Sequence, residues 1–354
     1  MVQAGGGLRF EQLLTKHRGD VTILGFLDSN KSGTFQQYTI HHVESLDTLL
    51  QKHTGVIVAI ASTYANQIYC NLLQFKLDMV YNVSGYMVSP NKFRFSSEDM
   101  RQAFCEKVRG IAHIFRKQAD RDYLTCICDM HTNSADVSQG YRELMDFSVT
   151  LDEQYFDHIN KQAIKTIIDG GMENGGTTIR FLHHFPGCTV HAFEPLPAAV
   201  KLSPFYPYIQ GCEQIRLVFK GLSDTVSSGM LNINPDCFGE NAIIESSACE
   251  YSERIETTTI DDYAAAARIA KIDFIKLDIE SFEIKALHGA KQTIAKDRPQ
   301  MAICIYHKPE HYYEIPLLLS EMCTDYNFYL GFYGVGNFLE SVMYCIPREI
   351  DPNA

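Results

Sequence analysis

Apolar and polar positions alternate along the second half of the chain in blocks that read as strand, turn and helix. Ile164, Ile167 and Ile168 form a short buried run that reaches Asp169-Gly170-Gly171, and beyond Gly175-Gly176 the spacing of Ile179 and Leu182 becomes that of a helix face. The same cycle recurs downstream. Residues 189–193 run into Glu194-Pro195, 215–220 into Gly221-Leu222-Ser223-Asp224, 272–277 into Asp278-Ile279-Glu280, and 301–305 into Tyr306-His307-Lys308. Strands alternating with helices predict a parallel sheet, and the polar residues closing each strand fall on the edge where such sheets bind ligands. Two last runs, 326–333 and 342–346, joined through Gly334-Val335-Gly336, read as an antiparallel pair that finishes the sheet.

The first ninety or so residues carry a weaker version of this alternation. Gly5-Gly6-Gly7 precedes a helical pattern (Leu8, Phe10, Leu13, Leu14), followed by a strand at 21–27 ending in Asp28 and a short strand at 38–42. A helix through Leu46, Leu49 and Leu50, a strand at 56–61 and a helix at 65–77 complete a small α/β unit. Asp28 lies about twenty residues past the glycines, where a dinucleotide fold places its ribose-binding acid. Against a live site, only Met1 to Gln3 remain for a strand before the glycines, and Phe10 occupies the place of the third glycine, so a degenerate, structural loop is expected. From 91 to 162 the chain turns to charged and aromatic helix formers, with Phe104, Val108, Ile111 and Phe115 at helical spacing, and reads as a helical connector. Its end, Asp152 to Asp157, is placed for contacts to a ligand, with surface packing as the competing reading.

The loop after Ile168 has the spacing Asp-x-Gly-x-x-x-Gly, which differs from the dinucleotide fingerprint Gly-x-Gly-x-x-Gly. A leading carboxylate repels a pyrophosphate and suits a cation. S-adenosylmethionine, with its ammonium and sulfonium, is such a ligand. Glu194 closes the next strand, where an acid can accept hydrogen bonds from ribose hydroxyls, and 221–224 lies where the adenine edge would fall.

Composition narrows the partners. At 354 residues with 45% hydrophobic and 21% charged side chains, the chain has material for two cores. A net charge of −12 without a Lys/Arg run argues against nucleic acid. The 11 cysteines are odd in number and show no framework, Cys126-x-Cys128 is too tight for a zinc knuckle, and no signal sequence or membrane span is evident. A cytosolic protein with reduced thiols is expected, and Asn82-Val83-Ser84 is then a glycosylation motif in form only. The His41-His42 and His183-His184 pairs lie away from the strand ends and read as solvated surface.

The segments DGGMENGGTT, HAFEP, GLSD, TTTIDDY, IDFIKLDIESFEIKALHGAKQTIAKDRPQMAICIYHKPEHYYEIP and ESVMYCIP, in that order over roughly 154–347, resemble the FkbM family of S-adenosylmethionine-dependent methyltransferases. The resemblance implies a class I Rossmann-like core that methylates hydroxyl oxygens, commonly on sugars, glycans or polyketide-type products. Residues 5–83 resemble the Rossmann-like domain of sugar-modifying and glycan-biosynthesis proteins. The organisation expected is therefore an α/β chain with a Rossmann-like domain over 1–90, a helical connector over 91–162 and a methyltransferase domain over 163–354. Under this reading Asp169 orients the donor's ammonium directly or through water, Gly170, Gly171 and Gly175 allow close approach with Thr177 beside them, Glu194 holds the ribose, Leu222 and Ser223 flank the adenine, and Asp278 faces the methionine end. His307 is the candidate general base, with Glu280 and Glu283 as runners-up. No metal is assigned, although three acids within six residues and a histidine have the character of a hard-cation site.

Ser281 stands where the family usually has glycine and His311 where an acid is common. Gly331-Phe332 stands where relatives often carry Arg-His, and this departure implies a changed acceptor or reduced activity. The expected activity is O-methyl transfer to a small-molecule or glycan hydroxyl, with oligomeric state, a homo-oligomer included, left open. The alternatives are a nucleotide-sugar or NAD-linked enzyme run from the N-terminal glycines, and a glycan-pathway module that binds without transferring.

Overall fold

The computed structural model describes residues 24–28, 32–35, 38–53, 57–60, 79–82, 95, 97–132, 147, 153–232, 242–244, 252–333 and 340–353. The chain divides into two compact units, one containing the described residues up to 82 and the other those from 95 onward. Among the described residues no helix is long and apolar enough to cross a membrane.

In the first unit β1 (Phe26–Asp28), β2 (Gly33–Phe35) and β3 (Tyr38–His42) form a sheet with β3 in the middle, parallel to β1 and antiparallel to β2. The antiparallel β2 departs from the all-parallel expectation. Only Gln36 and Gln37 separate it from β3, and two residues can close a hairpin but not a crossover. Helix α1 (Leu46–Lys52) follows, and β4 (Ile57–Ile60) pairs in parallel with β5 (Met79–Asn82). Gly5-Gly6-Gly7, the helix through Leu8, the first three residues of the strand at 21–27 and the helix at 65–77 lie outside the described residues. Asp28 ends β1 as expected.

The second unit is built on a seven-stranded sheet. Its strands are β6 (Thr166–Gly170), β7 (Thr189–Phe193), β8 (Ile215–Val218), β13 (Phe274–Leu277), β14 (Gln300–Cys304), β15 (Tyr326–Phe332) and β16 (Ser341–Pro347), in the order β15-β16-β14-β13-β6-β7-β8. From β6 the chain winds outward through β7 and β8, returns to β13 on the other side of β6 and winds outward again, so the topological switch lies between β6 and β13. Strand β16 runs antiparallel to both β14 and β15, the closing pair foreseen from the sequence. Strands β13 to β16 are buried along their whole length, as a sheet covered on both faces requires.

Between β8 and β13 the chain makes a small sheet the pattern did not announce: β9 (Gly221–Leu222), β10 (Ser227–Asn232), β11 (Ala242–Ile244) and β12 (Ser252–Thr258). Helices α2 (Glu98–Ile111) and α3 (Gln118–Thr132) belong to the second unit and pack on each other, α2 also on the helix His311–Met322 and α3 on β15. The Arg116 N–H donates to the Phe328 carbonyl at 3.0 Å, and Tyr123 and Ser341 share a hydroxyl hydrogen bond. The residues read as their apolar face, Phe104, Val108, Ile111 and Phe115, are all buried.

The turn after β6 is shaped by packing. Gly171 sits at φ +77°, and a Cβ there would fall on the Asp278 carbonyl; Gly175, at φ +88°, caps helix α4 (Gly176–His184), and a Cβ would fall on Ile209. Gly187 shares the left-handed conformation at φ +80° but has open space around it. Gly187→Ala should therefore cost only the backbone penalty of about 1–2 kcal/mol. Gly171→Ala adds an overpacking cost of about 1–3 kcal/mol, and the two losses should separate clearly in urea unfolding.

Candidate active site

Where the winding reverses, at the carboxyl ends of β6, β7 and β13, a cleft opens to solvent. Gly171, Thr177, Glu194, Leu222, Lys276, Asp278 and Glu280 line it, with Phe193, Leu231 and Phe282 among its apolar walls. The strand ends thus converge on one edge, as their polar residues predicted.

Asp169 does not face this cleft. It is fully buried, accepts from the Thr178 hydroxyl at 2.6 Å, and lies 3.3 Å from the Lys276 ammonium, its register partner on β13. Lys276, 2% exposed, also donates to the carbonyls of Gly170 and Gly171 at 3.0 and 2.6 Å. Burial pushes the ammonium's pKa down, but the carboxylates of Asp169 and Asp278 more than offset that and hold it above its ordinary value. The Asp169 carboxylate is thus held in an internal ion pair. The backbone N–H groups of Gly171 and Met172 are likewise spent inside the protein, on the Phe193 carbonyl. The glycines serve close approach between protein segments, and Gly170 is itself packed between Leu277 and Leu222.

Glu194 does reach the cleft. Its two oxygens accept from the N–H groups of Leu196 and Glu173 at 3.0 and 3.2 Å, and burial raises its pKa to about 7, above the ordinary carboxylate range. Leu222 lines the wall but Ser223 does not: its N–H is taken by the Thr258 carbonyl at 2.9 Å and its hydroxyl turns to Asp224.

At the other end of the cleft the expected catalytic residues converge. Asp278 Oδ2 accepts from the Tyr155 hydroxyl at 2.7 Å, and Oδ1 lies 3.2 Å from His307 Nε2 and 3.4 Å from the Tyr306 hydroxyl. Glu280 Oε1 stands 3.5 Å from the same imidazole nitrogen, and Glu283 Oε1 is 2.9 Å from His307 Nδ1. Burial alone would raise the Asp278 carboxyl, but His307, Lys276 and Tyr155 hold it well below its usual range. Burial would lower His307, yet Glu283, Asp278 and Glu280 hold the imidazole well above its ordinary value. The turn that presents Glu280 is left-handed at two successive non-glycine residues, Glu280 at φ +51° and Ser281 at φ +82°, a conformation that glycine adopts without steric cost.

Residues 169–330 match the model of the methyltransferase FkbM domain. Among solved structures, the methyltransferase FkbM from Methylobacillus flagellatus KT aligns with a TM-score of 0.61 at 14% identity, over 94% of this chain and 87% of that one, which establishes a shared fold. A fibrillarin from Aeropyrum pernix with natively bound S-adenosyl-L-methionine (TM-score 0.31, 9% identity, 52% of this chain and 67% of that one) and an SAH-bound methyltransferase from Podospora anserina (TM-score 0.29, 11% identity, 72% and 97%) also match. No curated protein matches the chain in sequence.

The cleft uses residues that the sequence pattern passed over. Lys276 reads as an ordinary strand lysine until its burial is seen. Tyr155 lies in the segment picked out for ligand contacts, but only the fold shows its hydroxyl on Asp278. Gly331 and Phe332 are interior residues of β15: the glycine leaves room for the Tyr333 ring, and Phe332 packs on Tyr123 at a centroid distance of 5.2 Å. His184 stacks on Phe156 at 4.0 Å and is half-buried, a departure from the solvated surface expected of it, whereas His183 is exposed.

Breaking the buried pair leaves an uncompensated charge, so Asp169→Asn and Lys276→Met should each cost about 3–5 kcal/mol. The double variant Asp169→Asn/Lys276→Met should be more stable than the sum of the single losses predicts. Strict additivity in a urea double-mutant cycle would refute the coupling.

Proposed function

We propose that the protein is an S-adenosylmethionine-dependent O-methyltransferase acting on a hydroxyl of a sugar, a glycan precursor or a related natural product. The observation that carries this reading is the charge of the cleft. Glu173, Glu194, Asp278 and Glu280 line it against Lys220 and Lys276, an acidic surface at a topological switch point within an FkbM domain.

The lining suits the donor's chemistry. Glu194 offers an acceptor for ribose hydroxyls, Leu222 and Leu231 an apolar wall for adenine, and Asp278 with Glu280 a negative field for a sulfonium and an ammonium. A pyrophosphate would meet four carboxylates there, which disfavours the nucleotide-sugar and NAD alternatives at this cleft. When bound, the donor supplies an electrophilic methyl group. The chain's own work is to hold the acceptor oxygen beside Asp278 and to take its proton as the O–C bond forms and the C–S bond breaks. His307, kept charged by the carboxylates around it, positions Asp278 and Glu280 against its Nε2, and Glu280, which lines the cleft, is the residue assigned to that transfer; Tyr155 fixes the Asp278 carboxylate.

Isothermal titration should give saturable S-adenosylmethionine binding that weakens strongly in Glu194→Ala. No binding by the folded protein would end this reading. Glu194 accepts fully from hydroxyls only when ionised, and burial, reinforced by Glu173 and opposed by Lys276, puts its pKa at about 7. Affinity should therefore rise as pH increases through 7, and Glu194→Gln should flatten the profile. With an acceptor found from a hydroxyl panel, Glu280→Gln should lower kcat by about 10²–10⁴. Unchanged turnover would remove Glu280 from the proton transfer.

A further inference from the structure

Nε2 of His307 faces the cleft carboxylates, and its other nitrogen faces a second cluster in the interior. Glu283, the first residue of helix α8 (Glu283–His288), is fully buried, and His311, the first residue of helix α10 (His311–Met322), is 2% exposed. Glu283 Oε1 accepts from the Ile279 N–H at 2.9 Å, and its Oε2 lies 3.4 Å from His311 Nδ1. None of Glu283 Oε2, His307 Nδ1 or His311 Nδ1 has an aligned hydrogen-bond partner. A single buried polar atom left in this way is costly, and three converging on one point call for something between them.

We propose that Glu283, His307 and His311 form a binding site for a divalent transition-metal ion, with Zn²⁺ as the best match. One ligand atom from each residue can be chosen so that all lie within 4.8 Å of one another. Two imidazoles and one carboxylate are a zinc-type donor set, whereas Mg²⁺ and Ca²⁺ favour oxygen ligands throughout. Tetrahedral Zn²⁺ with bonds of about 2.0–2.2 Å spaces its ligand atoms by about 3.3–3.6 Å, and the Glu283–His311 separation of 3.4 Å is already of that size. The ion would tie the N-terminal ends of α8 and α10 to the loop after β14, leaving the Nε2 edge of His307 toward Asp278 and Glu280. It would be a positioning ion behind the cleft, and the inference does not depend on methyl transfer.

Protein stripped with a chelator is titrated with ZnCl₂, and a parallel sample is loaded with Co²⁺ to read the visible ligand-field bands of a tetrahedral site. One Zn²⁺ per chain is expected, weakened at least about 100-fold in His311→Ala and in Glu283→Gln. Circular dichroism confirms folding; should His311→Ala fail to fold, Glu283→Gln carries the same expectation. Glu280→Gln alters the neighbouring trio of Asp278, Glu280 and His307 and should keep the ion. The inference is overturned by absence of saturable binding to the folded wild type, by full retention in folded His311→Ala or Glu283→Gln, or by loss in Glu280→Gln alone. S-adenosylmethionine binding on the same samples is a separate readout, so either result can fail without the other.

Discussion

A lysine in the middle of a fully buried parallel strand is the constraint on which the cleft rests. An isolated ammonium at Lys276 would be prohibitive, and it is tolerable because Asp169 stands opposite it in register and two carbonyls of the β6 turn point at it. Those carbonyls belong to Gly170 and Gly171, so the course of the turn is dictated by the lysine as well as by any ligand. Gly171 can follow that course only without a side chain, because the backbone after β13 passes directly over it. One ion pair therefore fixes the two strand ends between which the cleft opens.

The carboxylates around that floor are not equivalent. Glu194 is poorly solvated and satisfied by two backbone donors, so its proton is lost only near neutrality. Asp278 is close to a lysine, a histidine and a tyrosine hydroxyl, which keep it ionised far into acid. One end of the cleft thus presents an acceptor whose charge is adjustable and the other a fixed negative field. An extended ligand with hydroxyls at one end and a cation at the other matches this polarity.

Much of the sheet could be read from the sequence because each buried run stops at a polar residue, and that contrast survives without any knowledge of partners. Strand β7 falls on the residues foreseen, and β15 and β16 pair as foreseen. Orientation could not be read. Asp169 sits at the expected strand end, yet its carboxylate turns inward, because the lysine that claims it lies 107 positions on, in another strand, and strand order and register are not written in the hydrophobic pattern. Short elements such as β2 and β9 were lost for a different reason: two or three residues carry too little periodicity to register. The Glu283–His307–His311 cluster was only half legible, since His311 could be seen as an unusual residue but its meeting with Glu283 depends on two helices starting at the same place.

The left-handed turn at Glu280 and Ser281 joins these observations. Two successive non-glycine residues at positive φ are strained, and such strain persists where the surroundings over-determine it. Glu283 supplies that hold by accepting the Ile279 N–H at the start of the turn while its carboxylate faces His307 and His311 behind it. The interior cluster and the exposed cleft are therefore mechanically one object. A change that loosens Glu283 would release the turn, withdraw Glu280 from His307 and alter the acceptor end of the cleft without touching a residue that lines it.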